Sequence, residues 1–79
     1  MKVKLKFFAS FRQLTGTAGA ELEVPEGTKT SGLMELIRKM YDGFDEKTVL
    51  YAVNGEYVGE EIELKEGDVI AFFPPVSGG

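Results

Sequence analysis

The chain has 79 residues, no cysteine and no histidine, and a net charge of −4 from 13 acidic and 9 basic side chains. That length holds a single domain, and the missing Cys and His exclude a disulfide framework, a Cys/His zinc site and a thiolate-bound iron–sulfur cluster. The acidic balance argues against nucleic-acid binding, and no apolar run approaches the roughly 20 residues that span a bilayer.

Residues Lys2 to Phe8 alternate, with Val3, Leu5 and Phe7 on one face and Lys2, Lys4 and Lys6 on the other. Period two predicts a half-buried strand. The same alternation leaves no continuous apolar stretch for a signal peptide, so a cytoplasmic protein is expected. Phe8 falls on the lysine face, where an aromatic is out of place; it reads either as a chance edge contact or as part of a partner surface. Phe11 to Gly16 predicts a helical turn, and Thr15 to Gly19 a loop. Glu21-Leu22-Glu23-Val24 alternates again as a second strand, ended by Pro25-Glu26-Gly27.

From Leu33 the period becomes helical: Leu33, Leu36, Ile37, Met40 and Tyr41 share a face, and Glu35, Arg38 and Lys39 lie opposite. Thr28, Thr30 and Ser31 are candidate N-caps, and Asp42-Gly43 is the stop signal. The stripe reads as core rather than as a ligand face. Thr48 to Val53 predicts a third strand, Asn54-Gly55 a tight turn and Glu56-Tyr57-Val58 its returning strand. Lys65 to Asp68 is a further turn before a last strand, Val69 to Phe73, which Pro74-Pro75 ends.

One main helix and about five short strands in the order β-β-α-β-β-β give an α+β domain. By analogy this is the ubiquitin-like β-grasp, a mixed sheet with the helix packed on one face. Its first and last strands run parallel side by side at the sheet centre. Residues 1–75 form the expected domain and residues 76–79 a flexible C-terminal tail. If Ile70 and Phe72 face the helix, Phe73 points outward beside Phe8, and an exposed aromatic pair suggests a partner surface. The terminal Gly78-Gly79 lacks Cβ atoms and ends in a free carboxylate, so it can thread close to another backbone. A frayed tail is the alternative. With neither Cys nor His, and little room beside the core for a ligand cleft, a free-standing enzyme is not expected.

Three segments carry a family resemblance. Phe7-Phe8-Ala9-Ser10-Phe11-Arg12-Gln13-Leu14-Thr15-Gly16, Ala52-Val53-Asn54-Gly55-Glu56-Tyr57-Val58, and the end from Glu66 to Gly79 with Phe72-Phe73-Pro74-Pro75-Val76-Ser77-Gly78-Gly79 together resemble the small subunits of molybdopterin synthase, the MoaD family. The turn and hairpin segments recur in many β-grasp domains; the Phe-Phe-Pro-Pro-Val-x-Gly-Gly ending is the specific part. The resemblance implies that the Gly79 carboxylate, with Gly78 beside it, is the reactive group. A ubiquitin-activating-type (MoeB-like) enzyme would adenylate it with ATP, and a sulfur donor would convert it to a thiocarboxylate. A large, MoaE-like subunit would then take up the tail, in a heterotetramer, and pass the sulfur to a pterin precursor of the molybdenum or tungsten cofactor.

The chain itself is then expected to bind no cofactor and no metal. In that family the positions matching Phe8, Arg12 and Phe73 dock the enzymes, and Pro74, Pro75, Val76 and Ser77 form the stem that the partner holds. Without the resemblance Arg12 reads as a solvated loop charge; Lys2, Lys4 and Lys6 read as a solvated sheet face, with a recognition strip as the alternative. The connection from Tyr41 to Lys47 is shorter than in many family members. Rival expectations are a carrier for thiamine synthesis or tRNA thiolation, a protein modifier, and an interaction module whose tail is incidental.

Overall fold

In the computed structural model, residues 1–41, 49–57 and 61–74 are described. The chain runs β1 (Lys2–Phe7), α1 (Ser10–Thr15), β2 (Gly19–Glu23), α2 (Thr30–Met40), β3 (Leu50–Val53), β4 (Glu56–Tyr57) and β5 (Val69–Phe73). The strands form one sheet in the order β2-β1-β5-β3-β4. β1 pairs with β2 antiparallel and with β5 parallel, so the first and last strands occupy the centre. This is the ubiquitin-like β-grasp, with α2 across one face. The expected Val58, Thr48, Asp42-Gly43 and residues 76–79 lie outside the described residues, as does the Pro75 end of the domain.

Alternation along β1 sorts its side chains as elementary geometry requires. Val3, Leu5 and Phe7 are buried, while Lys2, Lys4 and Lys6 are exposed. In parallel register Leu5 stands beside Ile70 and Phe7 beside Phe72, so the apolar faces of both central strands coincide. Phe7 stacks on Phe72 at 5.6 Å between ring centroids and meets Tyr41 edge-on at 5.6 Å. Leu33 and Ile37 of α2, Phe11, Val24, Val53 and Leu64 complete the core. Burying each large apolar side chain contributes about 1.5–3 kcal/mol, which is why this cluster holds so short a chain together.

Two expectations for α2 are corrected. None of Thr28, Thr30 or Ser31 caps it by a side chain; Lys29 occupies the N-cap position with extended backbone. The Thr28 hydroxyl donates to Pro25 O, and Thr30 lies inside the helix, almost wholly buried. A distant segment serves the helix start instead. Thr30 N–H donates to Ile62 O at 3.0 Å, Ile62 N–H donates to Thr30 Oγ1 at 3.3 Å, and Ser31 Oγ bonds the Glu61 carboxylate. Glu61 thereby sets a negative charge at the positive end of the helix dipole. Met40, placed on the apolar stripe, is instead exposed, because Leu33 and Ile37 fill the contact with the sheet and the helix ends there.

The expected turn after Phe8 proves to be a short helix, α1. Phe11 is its buried anchor, Thr15 Oγ1 donates back to Phe11 O, and Gly16 closes it at φ 77°, a left-handed conformation suited to glycine. Asn54 (φ 52°) and Gly55 (φ 85°) form the expected tight turn between β3 and β4.

Candidate functional site

The site is the sheet face turned away from α2, at the end where β5 stops. The register defines it. With Phe7 and Phe72 paired on the core face, the residues one step along, Phe8 and Phe73, belong to the outer face. Leu50 stands beside Phe73, and Ala52 lies between Ala71 and Tyr57. The result is an apolar outer patch of Phe8, Ala71, Phe73, Leu50 and Tyr57, in which Phe8 is 41% exposed and Tyr57 74%. Tyr57 and Phe73 meet edge-on at 5.3 Å. Aromatic surface left open on so small a domain is of the kind that partner surfaces use.

Backbone geometry holds Phe8 and Arg12 at its rim. Phe8 N–H donates to Phe72 O at 3.0 Å, which ties it to the end of β5. The chain then turns sharply: Phe11 N–H donates to Phe8 O at 3.1 Å and Arg12 N–H to Ala9 O at 3.1 Å. Ala9 takes φ 52° and ψ −127° to make this turn, a conformation usually reserved for glycine. Burial of Phe11 then leaves the next residue, Arg12, facing out. Arg12, Phe8, Lys4 and Lys6 line an open groove of about 730 Å³, together with Ala18 and, from β2, Gly19, Ala20 and Glu21.

Of the expected site residues, Phe8, Arg12, Phe73 and the partly buried Pro74 are placed at this end of the sheet; Pro75, Val76, Ser77, Gly78 and Gly79 lie outside the described residues. The sequence had not singled out Tyr57 or Leu50. Period two from Glu56 puts Tyr57 on one face or the other, but only the pairing with Ala52 says which. Among the described residues no cluster of three or more acidic side chains is arranged to hold a metal ion, and no helix is long and apolar enough to cross a membrane. Among the described residues the arrangement offers an apolar surface and a strand end.

Comparison with known proteins shows what the chain is similar to. The model of the ThiS family matches residues 5–79. The molybdopterin synthase sulfur carrier subunit of Chlamydomonas reinhardtii is 35% identical over 83 residues, covering all of both chains. Among solved structures, molybdopterin converting factor subunit 1 from Pyrococcus furiosus is 45% identical, with 96% of this chain and 99% of that chain covered and a TM-score of 0.90. A protein–protein complex of subunits 1 and 2 of the molybdopterin-converting factor from Helicobacter pylori contains a chain 26% identical, with full coverage of both and a TM-score of 0.71.

Proposed function

The chain belongs to the ThiS family, and from that premise we propose that it is the sulfur-carrying small subunit of a molybdopterin synthase. The observation that carries this is the end-to-end match to named sulfur carrier subunits and converting-factor subunit 1 in a chain ending Phe72-Phe73-Pro74-Pro75-Val76-Ser77-Gly78-Gly79. Its large-subunit partner is supported by the likeness to a chain solved in complex with subunit 2.

The chemistry centres on the Gly79 carboxylate. An α-carboxyl group is ionised at neutral pH and is a poor acyl donor, so it needs activation. An adenylating enzyme of the ubiquitin-activating type joins a carboxylate oxygen to the α-phosphorus of ATP and releases pyrophosphate. A sulfur donor then displaces AMP, and the product is a C-terminal thiocarboxylate. The large subunit receives the tail, the sulfur passes to the pterin precursor, and water restores the carboxylate. Two terminal glycines leave the carbonyl unhindered and let the tail enter a narrow channel. Pro74-Pro75 stiffens the stem and lowers the ordering entropy of docking.

The chain's own part is to carry and present. β5 lies at the centre of the sheet, so the stem leaves from the most rigid part of the domain. Phe8, Arg12, Phe73 and Tyr57 border the exit and give the enzymes something to grip. ATP is consumed by the adenylating partner, and the chain binds no cofactor of its own. The cytoplasm, which supplies that ATP, is the compartment this function requires.

Intact-mass spectrometry tests the proposal. After incubation with ATP, the adenylating enzyme and a sulfur donor, one terminal oxygen should be replaced by sulfur. An unchanged mass alongside an activating enzyme proven competent on another carrier would reject it, and a covalent bond to a lysine of another protein would mark a modifier instead.

A further inference from the structure

The outer face of β1 and β2 carries a charge ladder with one missing rung. Register sets Lys2 opposite Glu23 and Lys4 opposite Glu21, so two of the three strand lysines face a carboxylate. The third, Lys6, faces Gly19. No side chain fits there: a Cβ on Gly19 would lie 2.8 Å from the carbonyl oxygen of Leu5, a backbone atom that cannot swing aside. The fold therefore leaves Lys6 without the acid its neighbours have. Lys6 is exposed and borders the same open groove as Arg12 and Phe8. Neither cation has a side-chain partner among the described residues.

Docking at Phe8 and Arg12 is what the family resemblance implies; we propose that Lys6 is a further docking residue, which with Arg12 forms a two-cation corner that receives an Asp or Glu side chain of the partner enzyme beside Phe8. Charge complementarity selects this occupant. The chain as a whole carries −4, so an acidic loop is repelled by most of its surface and drawn to this corner, which orients the encounter. Arg adds a planar fork suited to a carboxylate, and Lys a mobile point charge beside it. The position suits a docking contact: Lys6 pairs with Ala71, only two residues before β5 ends at Phe73. An enzyme that takes up the stem has to cover this groove. Lys4 also lines the groove but faces Glu21 across the ladder, and Lys2, outside the groove and facing Glu23, is left to solvent.

The inference rests on the sulfur-carrier function proposed above, and two measurements keep their failures apart. The first is affinity for the adenylating enzyme and for the large subunit at low and high salt. Lys6→Glu should weaken binding by about ten-fold at low salt, Lys6→Arg should retain it, and Lys2→Glu should change it by less than about two-fold. Equal effects of Lys6→Glu and Lys2→Glu would overturn the proposal. The second uses the free chain and an acetylated, amidated Leu-Glu-Leu peptide, followed by amide chemical shifts. Shifts at Lys6, Arg12 and Gly19 that vanish with a Leu-Gln-Leu peptide and with Lys6→Glu support the corner, whether or not the enzymes bind. No selective shift overturns it. The same spectra test two rival occupants: shifts in this groove that change with protein concentration, or on removal of Gly78-Gly79, would assign it to a second copy or to the chain's own tail.

Discussion

Ala9 sits at φ 52° and ψ −127°, a backbone conformation that an L-residue holds at a cost of about 1–3 kcal/mol. The strain is local to the turn that joins Phe8 to Arg12, and glycine would relieve it. Glycine also loses more conformational freedom on folding, roughly 0.5–1 kcal/mol, so Ala9→Gly should give a net gain of about 1 kcal/mol. In a domain of this size that is about 4–8 °C in melting temperature, measurable by calorimetry. Ala9→Val should lower it, because a β-branched residue tolerates positive φ least. The neighbouring phenylalanines separate stability from docking in the same way. Phe72 is fully buried against Phe7, and Phe72→Ala should cost about 3–5 kcal/mol in a urea melt. Phe73 points the other way, onto Tyr57, so Phe73→Ala should cost only about 1 kcal/mol while weakening partner binding. Adjacent residues of one type thus serve opposite faces, and period two alone says that they must differ.

The β3–β4 hairpin depends on one side chain. Asn54 tolerates its positive φ, donates from Nδ2 to Asp68 Oδ1 at 2.9 Å and accepts at Oδ1 from Val69 N–H at 3.0 Å. Asp68 in turn accepts from Lys65 N–H at 2.8 Å. The turn is therefore clamped to the loop that launches β5. Asn54→Ala should cost about 1 kcal/mol, since it removes two solvent-exposed bonds whose partners water can then satisfy. Pairing it with Asp68→Ala in a double-mutant cycle should show coupling of about 1 kcal/mol, and additivity would refute the clamp. Asn54-Gly55 is legible as a turn because only its residue types accept that backbone. Its clamp is not legible, since Asp68 lies fourteen residues away. Helix α2 shows the same division. Its apolar spacing is plain from Leu33 to Ile37, yet its N-terminus is served by Glu61 and Ile62, whose approach no local pattern encodes.

For the molecule as a whole, the proposed function makes the domain a base that presents a terminal carboxylate. Core and chemistry are separate, so an extra residue after Gly79 should leave the melting temperature unchanged while abolishing thiocarboxylate formation, read by intact mass. Loss of both together would mean that the tail supports the fold. Periodicity, turn chemistry and an unbroken terminal motif made the order of the five strands and the main helix legible, with the apolar face of β1, the Leu33 to Ile37 face of α2, the last strand from Val69 to Phe73 and the family. Tertiary structure decided what depends on residues far apart meeting. It put Tyr57 beside Phe73, sent Glu61 to the start of α2, left Met40 in solvent, and set Gly19 across from Lys6. The physical reason is register: a strand's alternation tells which residues share a face, but only its partners tell what each one faces.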